Sequence, residues 1–263
     1  MSSFVTALKS YGQHFLNDKM VLDRISLLVK KYHNEEKIME IGPGMGALTD
    51  FLLKEFNHVT CIEVDNRCVE HLNKKYEARK SQMEIVEADF LKLNLKEMLQ
   101  SPTAIVGNFP YNISSQIVFS ILDNYEQVPI MVGMFQKEMG HRIASPEGSK
   151  EYGVISVFAQ LLYDVTMEFD IPPESFSPPP KVMSSIISMR RKEVINLDFD
   201  FKLFRNIVKA GFNQRRKMLR NGLSGIASKE LLQQDIFQKR AEQLSVQDFI
   251  DLTKMIEKDK LTT

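Results

Sequence analysis

Two short strings hold side chains that can do chemistry. The first, Glu40-Ile41-Gly42-Pro43-Gly44-Met45-Gly46-Ala47-Leu48-Thr49, follows a short apolar run. Glycines let the chain turn sharply there and let a ligand approach the main chain where a Cβ would collide. Glu63 stands 21 residues past Gly42 at the end of the next apolar run, with Asp65 just after it. An acid at that place can accept hydrogen bonds from both hydroxyls of a ribose. On these features alone a dinucleotide oxidoreductase stays open, as does a purely structural turn. The spacing, however, is G-x-G-x-G rather than G-x-G-x-x-G, and Pro43 removes an N–H that a pyrophosphate would need. Pro43 therefore favours a ligand without phosphates, such as S-adenosylmethionine, which is adenosine joined to a sulfonium and an amino acid. Asp89, at the end of a third apolar run, can accept the adenine amino group of that molecule; a cap or turn is its plainer use.

The second string is Asn108-Phe109-Pro110-Tyr111-Asn112-Ile113-Ser114. The exocyclic amine of adenine is a poor nucleophile because its lone pair is conjugated into the ring. An acceptor on each N–H draws the nitrogen toward a tetrahedral shape and aims the lone pair at a sulfonium methyl. Asn108 can supply a side-chain carbonyl, and Phe109 a main-chain carbonyl held by Pro110, whose ring restricts the residue before it. Tyr111 can stack on the base. Positioning and charge complementarity then supply most of the rate without a formal general base. Phe176 precedes Ser177-Pro178-Pro179-Pro180-Lys181-Val182. The prolines could hold its ring against the other face of an extruded base, as enzymes acting on stacked bases require; a core phenylalanine beside a rigid linker is the competing use.

These strings need a scaffold. Apolar residues at helical spacing follow the cap-like Asn17-Asp18, and strands are expected at 38–41, 59–63, 84–87, 103–107 and 130–135. Helices between most of them, near 47–56, 67–80 and 114–124, predict an α/β fold with a parallel sheet covered on both faces. Two further strands, near 164–169 and 182–189, flank the proline-rich segment without room for a crossover helix, so they are expected to be antiparallel. Past Asn196 only helical patterns remain, at 201–212, 217–224, 229–239 and 245–258, the last opened by a capping-box spacing from Ser245 to Asp248. The reading is a catalytic α/β domain over 1–192 and a small all-α domain over 193–263.

The 263 residues suit one large domain or one with a small partner, at roughly 150 residues per domain. Hydrophobic residues at 43% and charged residues at 26% exclude disordered and fibrous classes. No apolar stretch approaches the roughly 20 residues of a membrane span. Cys61 and Cys68 fall in an expected strand and the helix after it, which favours a reducing compartment. With no long apolar segment near the start and a first arginine at Arg24, a presequence is not expected, and the location is expected to be cytoplasmic. The net charge is zero overall, yet residues 197–263 carry +4 and the window 189–220 carries +7. A polyanion bound across that basic face would account for the asymmetry, as would a solvated helix face.

Taken together, Gly12-Gln13-His14-Phe15-Leu16-Asn17-Asp18, the Gly42 loop, Glu63-Val64-Asp65, Asp89, Asn108 to Ser114, Phe176 to Val182 and Phe212-Asn213-Gln214-Arg215-Arg216-Lys217 resemble the small-subunit ribosomal RNA adenine dimethyltransferase family over about residues 8–255. The resemblance implies a Rossmann-like class I methyltransferase with a seven-stranded, mostly parallel sheet. It implies N6,N6-dimethylation of two adjacent adenosines in a hairpin near the 3′ end of small-subunit rRNA, on a pre-assembled small subunit. By the family's pattern His14, Leu16, Gly42, Gly44, Glu63, Asp89 and Asn108 hold S-adenosylmethionine, leaving S-adenosylhomocysteine as product. Asn108, Phe109, Pro110, Tyr111 and Phe176 serve the target base, and no metal is implied. Position 14 is His where many members carry Asn. Arg215, Arg216, Lys217 and Arg220 are expected to meet RNA phosphates, with Arg190, Arg191 and Lys192 nearby in sequence. A monomer with no membrane partner is expected. The alternatives are the related large-subunit adenine methyltransferase of macrolide resistance, which shares the cofactor loop and an Asn-x-Pro-Tyr string; a non-catalytic descendant; and a nicotinamide dehydrogenase.

Overall fold

The computed structural model describes residues 13–32 and 37–262; Gly12, the first residue of the resembling strings, lies outside them. Its strands are β1 (Phe15–Leu16), β2 (Lys37–Ile41), β3 (His58–Glu63), β4 (Met83–Glu87), β5 (Ala104–Asn108), β6 (Ile130–Gln136), β7 (Tyr163–Ile171), β8 (Phe176–Ser177) and β9 (Ser184–Arg191). The helices are α1 (Lys19–Tyr32), α2 (Ala47–Glu55), α3 (Asn66–Lys75), α4 (Leu95–Met98), α5 (Ser114–Asp123), α6 (Lys137–Ala144), α7 (Val154–Leu162), α8 (Phe201–Asn213), α9 (Leu219–Gly222) and α10 (Val246–Thr262).

Seven strands form one sheet in the order β4-β3-β2-β5-β6-β9-β7. The first five run parallel, and β9 pairs antiparallel with β6. Strands buried on both faces read as unbroken apolar runs, and β5 and β6 are buried along nearly their whole length. The edge strand β7 alternates instead. Ser185 and Ser188 of β9 donate to Asp170 and Glu168 of β7, a falling order against a rising one, as oppositely directed strands require. The strand order reverses between β2 and β5, and open α/β sheets bind ligands at the carboxyl ends beside such a reversal.

Caps expected from the sequence form. Asp18 Oδ1 accepts from the Met20 and Val21 amides at the start of α1. Ser245 and Asp248 exchange hydrogen bonds at the start of α10. The segment 229–239 differs: it folds as two 3-10 turns, Leu231–Gln233 and Asp235–Gln238, because Gln234 between them is extended. Its apolar residues at helix-like spacing are nevertheless buried, at Leu231, Leu232 and Phe237.

The chain divides into two compact units. One runs to Gly140 and resumes over Asp164–Arg191; the other joins His141–Tyr163 to Lys192–Thr263. The helical unit therefore takes a segment that the sequence reading assigned to the α/β domain. The cause is α7, which is apolar almost all round and buries Ile155, Val157, Phe158 and Leu161. Such a helix needs cover on every side. The Phe158 ring packs edge-on against Phe201 and Phe204 of α8, and Tyr152 packs against Phe212.

Among the described residues, Tyr152 Oη is the buried side-chain oxygen without a hydrogen-bond partner. An unmade bond at a buried hydroxyl costs about 1–3 kcal/mol. Tyr152→Phe is expected to leave unfolding free energy in urea unchanged or to raise it by about 1 kcal/mol; a clear loss would show that the hydroxyl has a partner in solution.

Candidate active site

A cavity of about 690 Å³ opens at the carboxyl ends of β2, β3, β4 and β5. His14, Leu16, Gly42, Gly44, Glu63, Asp89, Asn108, Phe109, Pro110 and Tyr111 all line it, so ten residues named from sequence converge from five separate segments. Phe176 does not. On the two-residue ladder of β1 with β8, Phe176 pairs with Leu16 and turns into the core at 4% exposure, while Ser177 faces outward. Alternation along a strand decides this. Ser177 and Pro178 line the cavity in its place, and the core use of Phe176 is the one the structure adopts.

The glycine loop is shaped around its neighbours. Gly44 has φ +55°, and a Cβ there would lie 2.9 Å from the Phe15 ring. Its N–H donates to Glu63 Oε2 at 3.0 Å. Glu63 Oε1 also accepts from the Val64 and Asp65 amides, both at 2.9 Å. Burial raises the Glu63 carboxyl pKa, and the backbone donors oppose that rise. A carboxylate offers about four lone-pair sites. Three backbone donors occupy most of them, so Glu63 retains room for one ligand hydroxyl rather than a pair. Asp89 serves two uses at once: Oδ1 caps the next turn by accepting from the Leu91 amide at 3.1 Å, and the residue still lines the cavity.

At the end of β5, Asn108 Nδ2 donates to the His14 main-chain carbonyl at 2.7 Å. The side-chain nitrogen is thereby committed, and Oδ1 is left as the acceptor. The Phe109 ring is fully buried and packs edge-on to Phe135, centroids 5.2 Å apart. Burial of that ring contributes about 1.5–3 kcal/mol toward holding the loop. With the ring in the core, what Phe109 can offer a ligand is its carbonyl. The Tyr111 hydroxyl lies 2.6 Å from Ser184 Oγ, and its ring stacks on His14 with centroids 5.7 Å apart. The His14 Nδ1–H donates to the Pro178 carbonyl at 2.8 Å; a carbonyl can only accept, which fixes the imidazole tautomer.

Three contributors escaped the sequence reading. Ser184, fully buried on β9, holds the Tyr111 hydroxyl, and nothing in its spacing announces that. Phe15 packs on Gly44 from a strand too short to show a period. Glu40 did carry a signal, since it is an acid inside the otherwise apolar run Ile38 to Ile41 of β2, and it is buried there. It accepts from Thr49 Oγ1 at 2.6 Å and from Cys61 Sγ at 3.7 Å, and burial pushes its carboxyl pKa up to about 7.

The basic residues divide by partner. Arg215 Nε pairs with Glu242 at 2.6 Å, and its Nη2 donates to the Ser149 and Lys150 carbonyls. Arg216, Lys217 and Arg220 are exposed. Arg190 lies over the Tyr32 ring, whereas Arg191 and Lys192 donate to main-chain carbonyls of Tyr125, Glu126 and Gln160. Among the described residues no group of three or more His, Cys, Asp or Glu side chains is arranged to hold a metal ion, and no helix is long and apolar enough to cross a membrane.

Residues 5–258 match the family model for ribosomal RNA adenine dimethylase. The chain is 45% identical over 254 residues to the ribosomal RNA small subunit methyltransferase A of Cytophaga hutchinsonii, covering 96% of this chain and 98% of that one. Its fold is similar to a crystal structure of a dimethyladenosine transferase from Plasmodium falciparum, with TM-score 0.81, 25% identity, and 94% and 98% of the two chains covered. It is also similar in fold to the 23S rRNA methyltransferase ErmE, with TM-score 0.70, 23% identity, and 91% and 99% covered.

The Glu40 carboxyl gives a signed pH prediction. A folded-state pKa raised from 4.5 to about 7 means the folded protein binds more protons than the unfolded chain within that window. Stability attributable to Glu40 is therefore present below pH 4.5 and lost as pH rises toward 7. Glu40→Gln is expected to gain on the wild type across that window, by an amount on the order of 3 kcal/mol. Urea unfolding at stepped pH checks it; parallel curves for the two proteins would refute the assignment.

Proposed function

Because the chain belongs to the ribosomal RNA adenine dimethylase family, we propose that its cavity methylates the N6 amine of two adjacent adenosines in a hairpin near the 3′ end of small-subunit rRNA, using S-adenosylmethionine. The observation that carries this reading is the committed Asn108 amide, which leaves Oδ1 as an acceptor on the cavity wall. The small-subunit target is supported by 45–46% identity along nearly the whole chain to proteins named ribosomal RNA small subunit methyltransferase A.

The lining suits the donor. A cavity of about 690 Å³ lies within the range of small-molecule sites. Glu63 keeps one acceptor position for a ribose hydroxyl, Asp89 offers a second carboxylate for the adenine amine, and the Gly42 to Gly44 backbone supplies a surface without Cβ atoms. His14 and Leu16 close the cavity from β1 and the residue before it. When bound, S-adenosylmethionine supplies a methyl group made electrophilic by its sulfonium.

The chain's own residues then act on the amine. Asn108 Oδ1 and the Phe109 carbonyl each accept one N–H, so the nitrogen lone pair is no longer spread into the ring. Pro110 holds the Phe109 carbonyl in place, and Tyr111, tethered at its hydroxyl by Ser184, gives the base a face to stack on. The Phe176 ring stays in the core, so its part in this reading is to anchor the Ser177-Pro178 wall. Arg216, Lys217 and Arg220 meet phosphates, a contact that gives affinity and salt dependence but little sequence reading. Target choice rests on the shape of a pre-assembled particle. The enzyme works as a cytoplasmic monomer and needs no metal or membrane.

Asn108→Ala is expected to lower both transfers by about a hundredfold or more, measured with labelled S-adenosylmethionine on undermethylated small subunits. First-transfer rates equal to wild type would sink the Asn108 role, and label appearing on large subunits alone would sink the choice of target. Arg216→Glu with Lys217→Glu is expected to flatten the slope of log affinity against log salt by about one per lost phosphate contact. Arg215→Ala should leave that slope alone and lower the melting temperature, because its guanidinium is held inside the helical unit.

A further inference from the structure

The glycine loop is held on two sides, and only one belongs to the site already described. On the amide side, the Gly42 N–H donates to the Ile62 carbonyl at 2.9 Å and the Gly44 N–H to Glu63 at 3.0 Å. On the carbonyl side stands a set from α2, from the end of α3 and from Tyr76 just after it, and this set lines none of the cavity. Lys75 Nζ donates to the Met45 carbonyl at 3.2 Å, to the Gly46 carbonyl at 3.0 Å and to Asp50 Oδ2 at 2.7 Å. The Tyr76 hydroxyl lies 2.9 Å from the Gly46 carbonyl and 2.7 Å from Asp50 Oδ1. Tyr76 is 5% exposed, and its ring belongs to the apolar core, so the hydroxyl is delivered from a fixed base.

Two features mark this set as more than surface pairing. Gly46 has φ +75°, and a Cβ there would lie 2.6 Å from Tyr76 Oη, so hydroxyl and loop are fitted to each other. A lysine at the amino end of a helix opposes the helix dipole. Lys75 sits against the start of α2 all the same, with Asp50 of the first turn of α2 as its counter-charge. The loop itself has left-handed residues at Gly42, Gly44 and Gly46, a conformation that fixed partners must hold against the freedom glycine brings.

We infer that Lys75, Tyr76 and Asp50 are positioning residues that pre-form the glycine loop for S-adenosylmethionine from behind. This rests on the proposed function of the cavity. One continuous stretch, from Ile62 to Tyr76, grips both sides of the loop, so the acid facing the ribose and the brace on the carbonyls move as one body. Work spent ordering a loose loop would otherwise be drawn from the binding energy of the cofactor. The brace touches neither Asn108 nor Tyr111, so its effect falls on cofactor affinity and leaves the transfer step alone.

The test is the Lys75→Met, Tyr76→Phe double variant in the full chain, with Lys75→Arg as the conservative control. S-adenosylhomocysteine binding is read by calorimetry, melting temperature by scanning calorimetry, and steady-state rates on undermethylated small subunits. The double variant is expected to bind S-adenosylhomocysteine about tenfold more weakly. Its KM for S-adenosylmethionine should rise in parallel, while kcat at saturating donor and KM for the subunit stay at wild-type values. Lys75→Arg should remain close to wild type. An unchanged dissociation constant in the double variant overturns the brace, whatever the melting temperature does, and so does a loss confined to kcat. Wild-type protein that binds no S-adenosylhomocysteine would overturn the cavity's proposed function instead, and the two failures are told apart in the first titration.

Discussion

The hydrogen bond from Asn108 Nδ2 to the His14 carbonyl joins residues 94 apart in sequence, and the cavity wall at the end of β5 depends on it. A primary amide has one good acceptor atom, and turning its nitrogen onto a carbonyl decides where that acceptor is left. Whatever holds His14 therefore acts on Asn108. The imidazole lies against Tyr111 and donates to Pro178, and the next two residues pair with β8. Tyr111 is tied in turn to Ser184 on β9. The short ladder of β1 with β8 contributes little by itself, yet it brings the start of the described chain, the Asn108 to Tyr111 loop and the proline segment into one set of contacts.

Burial treats the carboxylates of this region differently, according to the donors that follow them inside. Glu63 is buried, and three backbone amides accompany it and oppose the rise that burial gives its carboxyl pKa. Asp65, two residues on, is paired with Arg67 and Gln13, and its carboxyl pKa is lowered to about 2, chiefly by the Arg67 hydrogen bonds. Glu40 accepts from a hydroxyl and a thiol, and desolvation outweighs them, so its carboxyl pKa is pushed up to about 7. A charged group buried without full compensation costs several kcal/mol. Strands β2 and β3 thus each deliver a buried acid to the glycine loop with its carboxyl pKa raised, and Glu63 of β3 has the backbone donors that oppose the rise.

Sequence made the central strands legible because apolar runs buried on both faces are hard to mistake, and the cavity because its polar residues sit where those runs stop. The glycine loop, Glu63, Asp89 and Asn108 each follow such a run. Contacts built from very short or long-range elements were invisible: β1 and β8 have two residues each and no period to read. That is why Phe176 read equally well as a wall or as core until the ladder register fixed its direction. At α7 the sequence pattern predicts no helix and leaves the segment within the α/β domain; the apolar circumference of the helix is what requires cover by other helices. At Arg215 the side chain looked like part of a basic stripe, because a sequence shows charges but not the carbonyls and carboxylate that occupy them.

Dimethylation sets a condition that the same geometry meets unevenly. The unmodified amine has two N–H groups for two acceptors, but the monomethylated amine has one, so one acceptor must go unpaired and give room to a methyl group. The Phe109 carbonyl cannot retreat: its ring is locked beside Phe135 and Pro110 restricts its backbone. Asn108 reaches the cavity through side-chain torsions, and among the described residues its side chain is restrained by the hydrogen bond to the His14 carbonyl. On the proposed function, the main-chain acceptor would thus be the fixed partner of the remaining N–H through both transfers. In that reading the Asn108 side chain would be the one to yield to the first methyl group, at the cost of about one hydrogen bond.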